Sequence, residues 1–132
     1  MPLNKTELNK LLTESEICYI ATTKENGDPH LVPIWFIWHN GKIYFETDKT
    51  TVKFQNIQRN NQVMMCFGGK QTYLVEGSVK WYTEAELGFP IRKMYWDKYP
   101  KHMEDSYINE NTLLFEVIPN KTQSWHYAPE WD

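Results

Sequence analysis

Apolar positions along the chain follow two rhythms, a helical one at the start and a strand-like one after it. Leu8, Leu11 and Leu12 fall at i, i+3 and i+4, with Glu7 and Lys10 off that face. This spacing predicts a short amphipathic helix over Lys5 to Ser15, capped by Asn4 or Thr6. The β-branched, apolar run Ile17 to Thr23 predicts a buried strand. Glu25-Asn26-Gly27-Asp28-Pro29 is turn chemistry, so the run pairs as a hairpin with a second strand, His30 to Trp38. Asn40-Gly41 tolerates positive φ and predicts a tight turn. The return strand, Lys42 to Thr47, alternates Ile43 and Phe45 with Lys42 and Glu46 and completes an expected three-stranded meander.

The next helical window is Thr50 to Arg59, with Val52, Ile57 and the stem of Lys53 turned to the sheet. Gln62 to Phe67 reads as a strand stopped by Gly68-Gly69, and Gln71 to Tyr82 as a longer one that bends or bulges at Gly77. Thr83-Glu84-Ala85-Glu86 is a capping box, and Gly88 and Pro90 soon interrupt the helix it begins. A second helical segment, Ile91 to Tyr99, stops at Pro100, and Lys101 to Asn111 is polar loop. Thr112 to Ile118 is the last strand; Pro119 is expected to break it, with Lys121 to Tyr127 extending along the sheet. Short hairpin-linked strands with inserted helices predict one mainly β domain over residues 1–132, a small antiparallel barrel, closed or partly closed.

Composition narrows the function classes. The net charge of −3 does not suit a general nucleic-acid binder, which needs a basic surface. The two cysteines, Cys18 and Cys66, form no CxxC and read as buried thiols of a reducing compartment. No apolar run has the length of a membrane span, and the start Met-Pro-Leu-Asn-Lys-Thr-Glu does not read as a signal peptide, so a cytoplasmic location is expected. The aromatic share of 15% is high for 132 residues, enough to supply a ligand wall or a subunit interface besides the core.

The chemistry is sparse. His30, His39, His102 and His126 have no metal-ligand spacing, no GxSxG is present, and neither GxGxxG nor a Walker loop exists to cradle a phosphate. What remains is Thr47, Lys49, Thr50, Thr51 and Lys53 at a helix start. Helix N-termini offer unpaired N–H groups and partial positive charge, and the hydroxyls and ammonium groups add donors to an anion. The same residues also suit a solvated helix start whose threonines merely cap. Set beside the apolar wall Val32 to Trp38, the anion reading favours a flat phosphorylated aromatic ligand. The segment Thr83 to Tyr107, with Met94, Tyr95, Trp96, Tyr99 and His102, is either a wall over a substrate or plain helix packing.

In order, Pro33-x-Trp35-Phe36, the Asn-Gly turn, Phe45-Glu46-Thr47, x5-Lys53-x2-Asn56 and Pro119-x5-Trp125 resemble the pyridoxamine 5′-phosphate oxidase-like FMN-binding split-barrel family, from about Leu8 to Trp125. The resemblance implies a six-stranded antiparallel split β-barrel with short helices at the N-terminus, after strand three and after strand five. It implies a homodimer holding FMN at the subunit interface, and an oxidoreductase of unknown substrate. On this likeness Val32, Pro33, Ile34, Trp35 and Phe36 line the isoalloxazine. Thr47 and Lys53 hold the phosphate, with Lys49, Thr51 and Asn56 beside them; Gln71 or Thr72 contacts the flavin, and Trp125 reaches it from the other protomer.

There are departures from the family pattern. Val52 stands where true oxidases often have Arg, a loss that Lys49 is placed to offset. Trp38 stands near a substrate-binding lysine position, and no arginine-bearing tail follows the tryptophan before Asp132. Authentic pyridoxal phosphate synthesis is not expected. The family also includes F420-dependent and haem-binding members. An F420-dependent reductase would draw on Lys49, Lys53, Arg59 and Lys70 for the polyglutamate tail, and a non-catalytic flavin or haem binder is the other alternative. No side chain is assigned as acid or base.

Overall fold

The computed structural model describes residues 2–102 and 108–126. Helix α1 (Lys5–Glu14) starts at Asn4, whose side chain accepts from Glu7 N while Glu7 Oε1 accepts from Asn4 N. Strands β1 (Cys18–Thr23) and β2 (Pro29–Ile34) form the first hairpin, with Gly27 at φ +91°. Strands β3 (Ile37–His39) and β4 (Lys42–Asp48) form the second, turning through Asn40 and Gly41 at φ 50° and 74°. Helix α2 (Val52–Arg59), strands β5 (Gln62–Gly68) and β6 (Thr72–Tyr82), helices α3 (Glu84–Leu87) and α4 (Ile91–Lys98) and strand β7 (Thr112–Trp125) complete the chain.

The strands make one antiparallel sheet in the order β2-β1-β5-β6-β7-β4-β3, curled into a half-barrel. Three expectations need correction. His30 to Trp38 is not one strand, because the ladder breaks at Trp35 and Phe36, giving seven strands instead of six. The first three strands are therefore no meander: β2 and β3, adjacent in sequence, are the two ends of the strand order. Pro119 does not end the last strand, since β7 continues to Trp125 and pairs with β6 throughout. The proline is accommodated at the β6 bulge, where the register slips between Glu76 and Gly77 and Gly77 lies opposite Pro119. A Cβ on Gly77 would sit 2.3 Å from the Ile118 carbonyl oxygen, so the bulge demands glycine. Tyr127, at the end of the predicted extension, and residues 103–107, at the end of the predicted insertion, lie outside the described residues.

Two cores share the sheet. Alternation along β4 sends Ile43 and Phe45 into the half-barrel, where Phe45 stacks on its cross-strand partner Phe115 at 4.9 Å. Phe54 and Ile57 of α2 close this core, whereas Val52, expected to face the sheet, is 51% exposed. Tyr44 points the other way and joins Ile37, Leu114 and Ile108 under Ile91, Tyr95 and Tyr99. Helix α4 thus covers the outer face of β3, β4 and β7.

Candidate functional site

The strand break and the α2 start meet at a cavity of about 340 Å³ lined by Ile17, Pro33, Ile34, Trp35, Glu46 and Lys53. Each wall has a local cause. Pro33 and Ile34 end β2, and the chain leaves the ladder at Trp35. Glu46 lies on β4 beside the inward Thr47, on the same outward side as Tyr44. Lys53 stands in the first turn of α2, whose N-cap Thr51 accepts from Phe54 N at 3.2 Å.

Burial pulls the Lys53 ammonium below the ordinary lysine range, and the charge of Glu46 pulls back against it. Removing such a group from water is costly unless an anion compensates it. Behind it the helix start is tied together: Thr47 Oγ1 and Thr51 Oγ1 are 2.8 Å apart, and Thr51 Oγ1 also donates to the Asp48 carbonyl at 3.1 Å. Asp48 caps the turn by accepting from both the N–H and the hydroxyl of Thr50, which holds its carboxyl below the usual range.

The break itself is fastened by α4. Tyr99 Oη accepts from Phe36 N at 3.1 Å and lies 2.7 Å from the Glu16 carbonyl and 3.0 Å from that of Phe36, to either of which it can donate. Lys98 Nζ donates to the same Phe36 carbonyl at 3.1 Å and sits 3.7 Å from the centre of the Phe36 ring. Trp35 stacks on Tyr99 at 4.5 Å and 9°, so the cavity wall and the insertion are one packed unit. Burial lowers the Lys98 ammonium to about 8 and raises the Tyr99 phenol. Packing, with Ile91 and Tyr95 fully buried, is thus what most of the insertion does.

The structure brings together Pro33, Ile34, Trp35 and Lys53 of the residues expected from sequence. Thr47 is 3% exposed and Thr51 caps, so both stand behind the cavity. Val32 is half-buried against the core, and Phe36 lies wholly within it, edge-on to Phe67. Asn56 is buried and donates to Thr22 Oγ1 at 3.1 Å; Lys49 is exposed and does not line the cavity. Gln71, Thr72 and Trp125 stand at another place, where Thr72 pairs with Trp125 and its hydroxyl donates to Gly69 O. Ile17 and Glu46 line the cavity without having been assigned from sequence. Glu46 was visible as the polar member of an alternating strand, and only the curl of the sheet, which brings β4 and the end of β2 to one cavity, makes it a wall.

The cavity is at the small end of the usual ligand range, roughly 300–1,000 Å³, which suits one part of a cofactor better than a whole one. Its apolar strand edge, indole and single desolvated ammonium fit a flavin phosphate; Glu46 is the one lining group that does not. Among the described residues no group of three or more His, Cys, Asp or Glu is placed to hold a metal ion, and no helix is long and apolar enough to cross a membrane.

The sequence pattern described as pyridoxamine 5′-phosphate oxidase matches residues 5–126. A search among curated proteins returns no match. Among solved structures, a conserved hypothetical protein from Mycobacterium tuberculosis is 20% identical with a TM-score of 0.80, over 93% of this chain and 84% of the other. An F420 reductase is 21% identical with a TM-score of 0.73, over 87% and 94%. A FAD-binding protein from Mesorhizobium loti is 15% identical with a TM-score of 0.73, over 94% and 95%. At these identities the likeness is one of fold.

Proposed function

The chain belongs to the pyridoxamine 5′-phosphate oxidase family, and from that premise we propose that it is an FMN-binding oxidoreductase. One observation carries the reading: a desolvated lysine and the Pro33–Trp35 strand end share a cavity at the start of a helix. Lys53 holds the phosphate as a point charge, aided by the N–H groups of the first turn of α2. The edge of the isoalloxazine lies against residues 32–36. Bound flavin supplies hydride or electron transfer, and the protein orients and shields it. Trp35 is kept in place for this by the Tyr99 stack and by the hydrogen bonds on Phe36.

The reading includes a dimer. Tyr19, Leu31 and Met64 are 43%, 65% and 40% exposed, and the strand register sets them on the outer face of β2-β1-β5, Leu31 and Met64 flanking Ala21 and Tyr19 one row along. This apolar face continues into the cavity through Ile17 and Pro33. A second copy seated there completes the small cavity, and Gln71 and Trp125 are the residues it brings to the flavin; Thr72, expected from sequence beside them, is 2% exposed and bonded to Gly69 O. F420 is the second choice of cofactor, because of Lys49, Lys53, Arg59 and Lys70 only Lys53 lines the cavity.

The test is a titration of the purified protein with FMN, followed by quenching of flavin fluorescence, with light scattering on the same sample. Saturable quenching at one FMN per chain in a dimer is expected. No quenching, or full binding by a monomer, would overturn the reading.

A further inference from the structure

We propose that Glu46 sets the cofactor preference of the cavity, repelling the phosphate that Lys53 attracts, so that FMN is favoured over uncharged riboflavin by much less than a lone lysine would give. The inference rests on the flavin reading and adds a specificity-determining residue to it. Among the described residues Glu46 and Lys53 are the ionisable side chains that line the cavity, one carboxylate against one ammonium. The two interact electrostatically, in a place partly withdrawn from water where such interactions exceed their strength in bulk solvent. Val52, at the α2 start, is exposed and uncharged, and Lys49 lies outside the cavity.

A phosphate monoester carries roughly −1.5 to −2 charges near neutral pH. Entering this cavity, it gains the attraction of Lys53 and meets the repulsion of Glu46. The isoalloxazine and ribityl parts, which riboflavin shares, feel neither charge to the same degree. The carboxylate therefore acts on the phosphate and leaves the rest of the ligand almost untouched.

The experiment measures dissociation constants of FMN and of riboflavin for the wild-type chain, Glu46→Gln and Glu116→Gln. The last variant removes the same charge from β7, where Glu116 faces Tyr44 and Lys42 outside the cavity. Glu46→Gln should tighten FMN about tenfold and leave riboflavin nearly unchanged, while Glu116→Gln should move neither. An unchanged ratio in Glu46→Gln, equal loosening of both ligands, or the same gain in Glu116→Gln would overturn the proposal. A wild-type chain that takes neither flavin would remove the flavin reading as well; wild-type binding with an unmoved ratio would remove this inference alone.

Discussion

Two lysines of this chain are drawn partly out of water, and their surroundings differ in what compensates them. Lys98 is met from within the fold: its ammonium donates to the Phe36 carbonyl and lies over the Phe36 ring. Lys53 faces a cavity wall of strand end and indole, with a carboxylate across from it. Burial depresses both, so depression alone does not mark a functional group. The geometry around each ammonium tells them apart. The first lysine is tied into a strand break, and the second lines the cavity proposed for the ligand.

The comparison can be broken on the structural side first, where effects are largest. Tyr99→Ala should cost about 3–5 kcal/mol in urea unfolding, the usual range for a buried ring. Tyr99→Phe should cost about 1–3 kcal/mol, because the Phe36 N–H then loses its buried acceptor while the Trp35 stack survives. A Phe variant as stable as the wild type would mean that the break needs no fastening. Lys98→Met keeps the apolar stem and should stay within about 1 kcal/mol of wild type at pH 7, since buried charges are often replaced by hydrophobic groups at little cost.

The smallest effect is the pH dependence. Lys98 is lowered from 10.5 to about 8, so between those values the unfolded chain keeps a proton that the folded chain has released. Stability then rises with pH. Cys18 acts in the opposite sense: burial raises it from 9.0 to about 12, and above pH 9 the unfolded thiol loses a proton that the folded one keeps. Stability should therefore rise from about pH 8 to 9 and level off or fall beyond. In Lys98→Met the rise should shrink to what the depressed Lys53 contributes, and a rise of the same size in that variant would assign it to another group. Urea midpoints at pH 7 to 10 provide the check.

Much of the fold was legible because its signals are local. The Asn4 and Thr83 caps, the Asn40-Gly41 turn and the Gly77 bulge each depend on a few neighbouring residues, and each stands where the sequence places it. The break at Trp35 and Phe36 was not legible. Val32 to Trp38 is continuously apolar, and what interrupts it is the Tyr99 hydroxyl, 63 residues away along the chain. Pro119 misled for a related reason, because a bulge on the partner strand accommodates it. At the site, the lysine and the strand end could be found from spacing within one stretch. Glu46 could not be told from any outward residue of β4, and the separation of Gln71, Thr72 and Trp125 from Lys53 follows only from the strand order.

The most direct measurement is a parallel FMN titration of the wild-type chain, Lys53→Ala and Lys98→Met, each confirmed as folded by circular dichroism. Lys53→Ala should weaken FMN by about 1.5–3 kcal/mol, the scale of a hydrogen bond to a charged group, while Lys98→Met leaves the dissociation constant near the wild-type value. Equal affinity in the wild-type chain and Lys53→Ala would contradict the placement of the phosphate at this cavity.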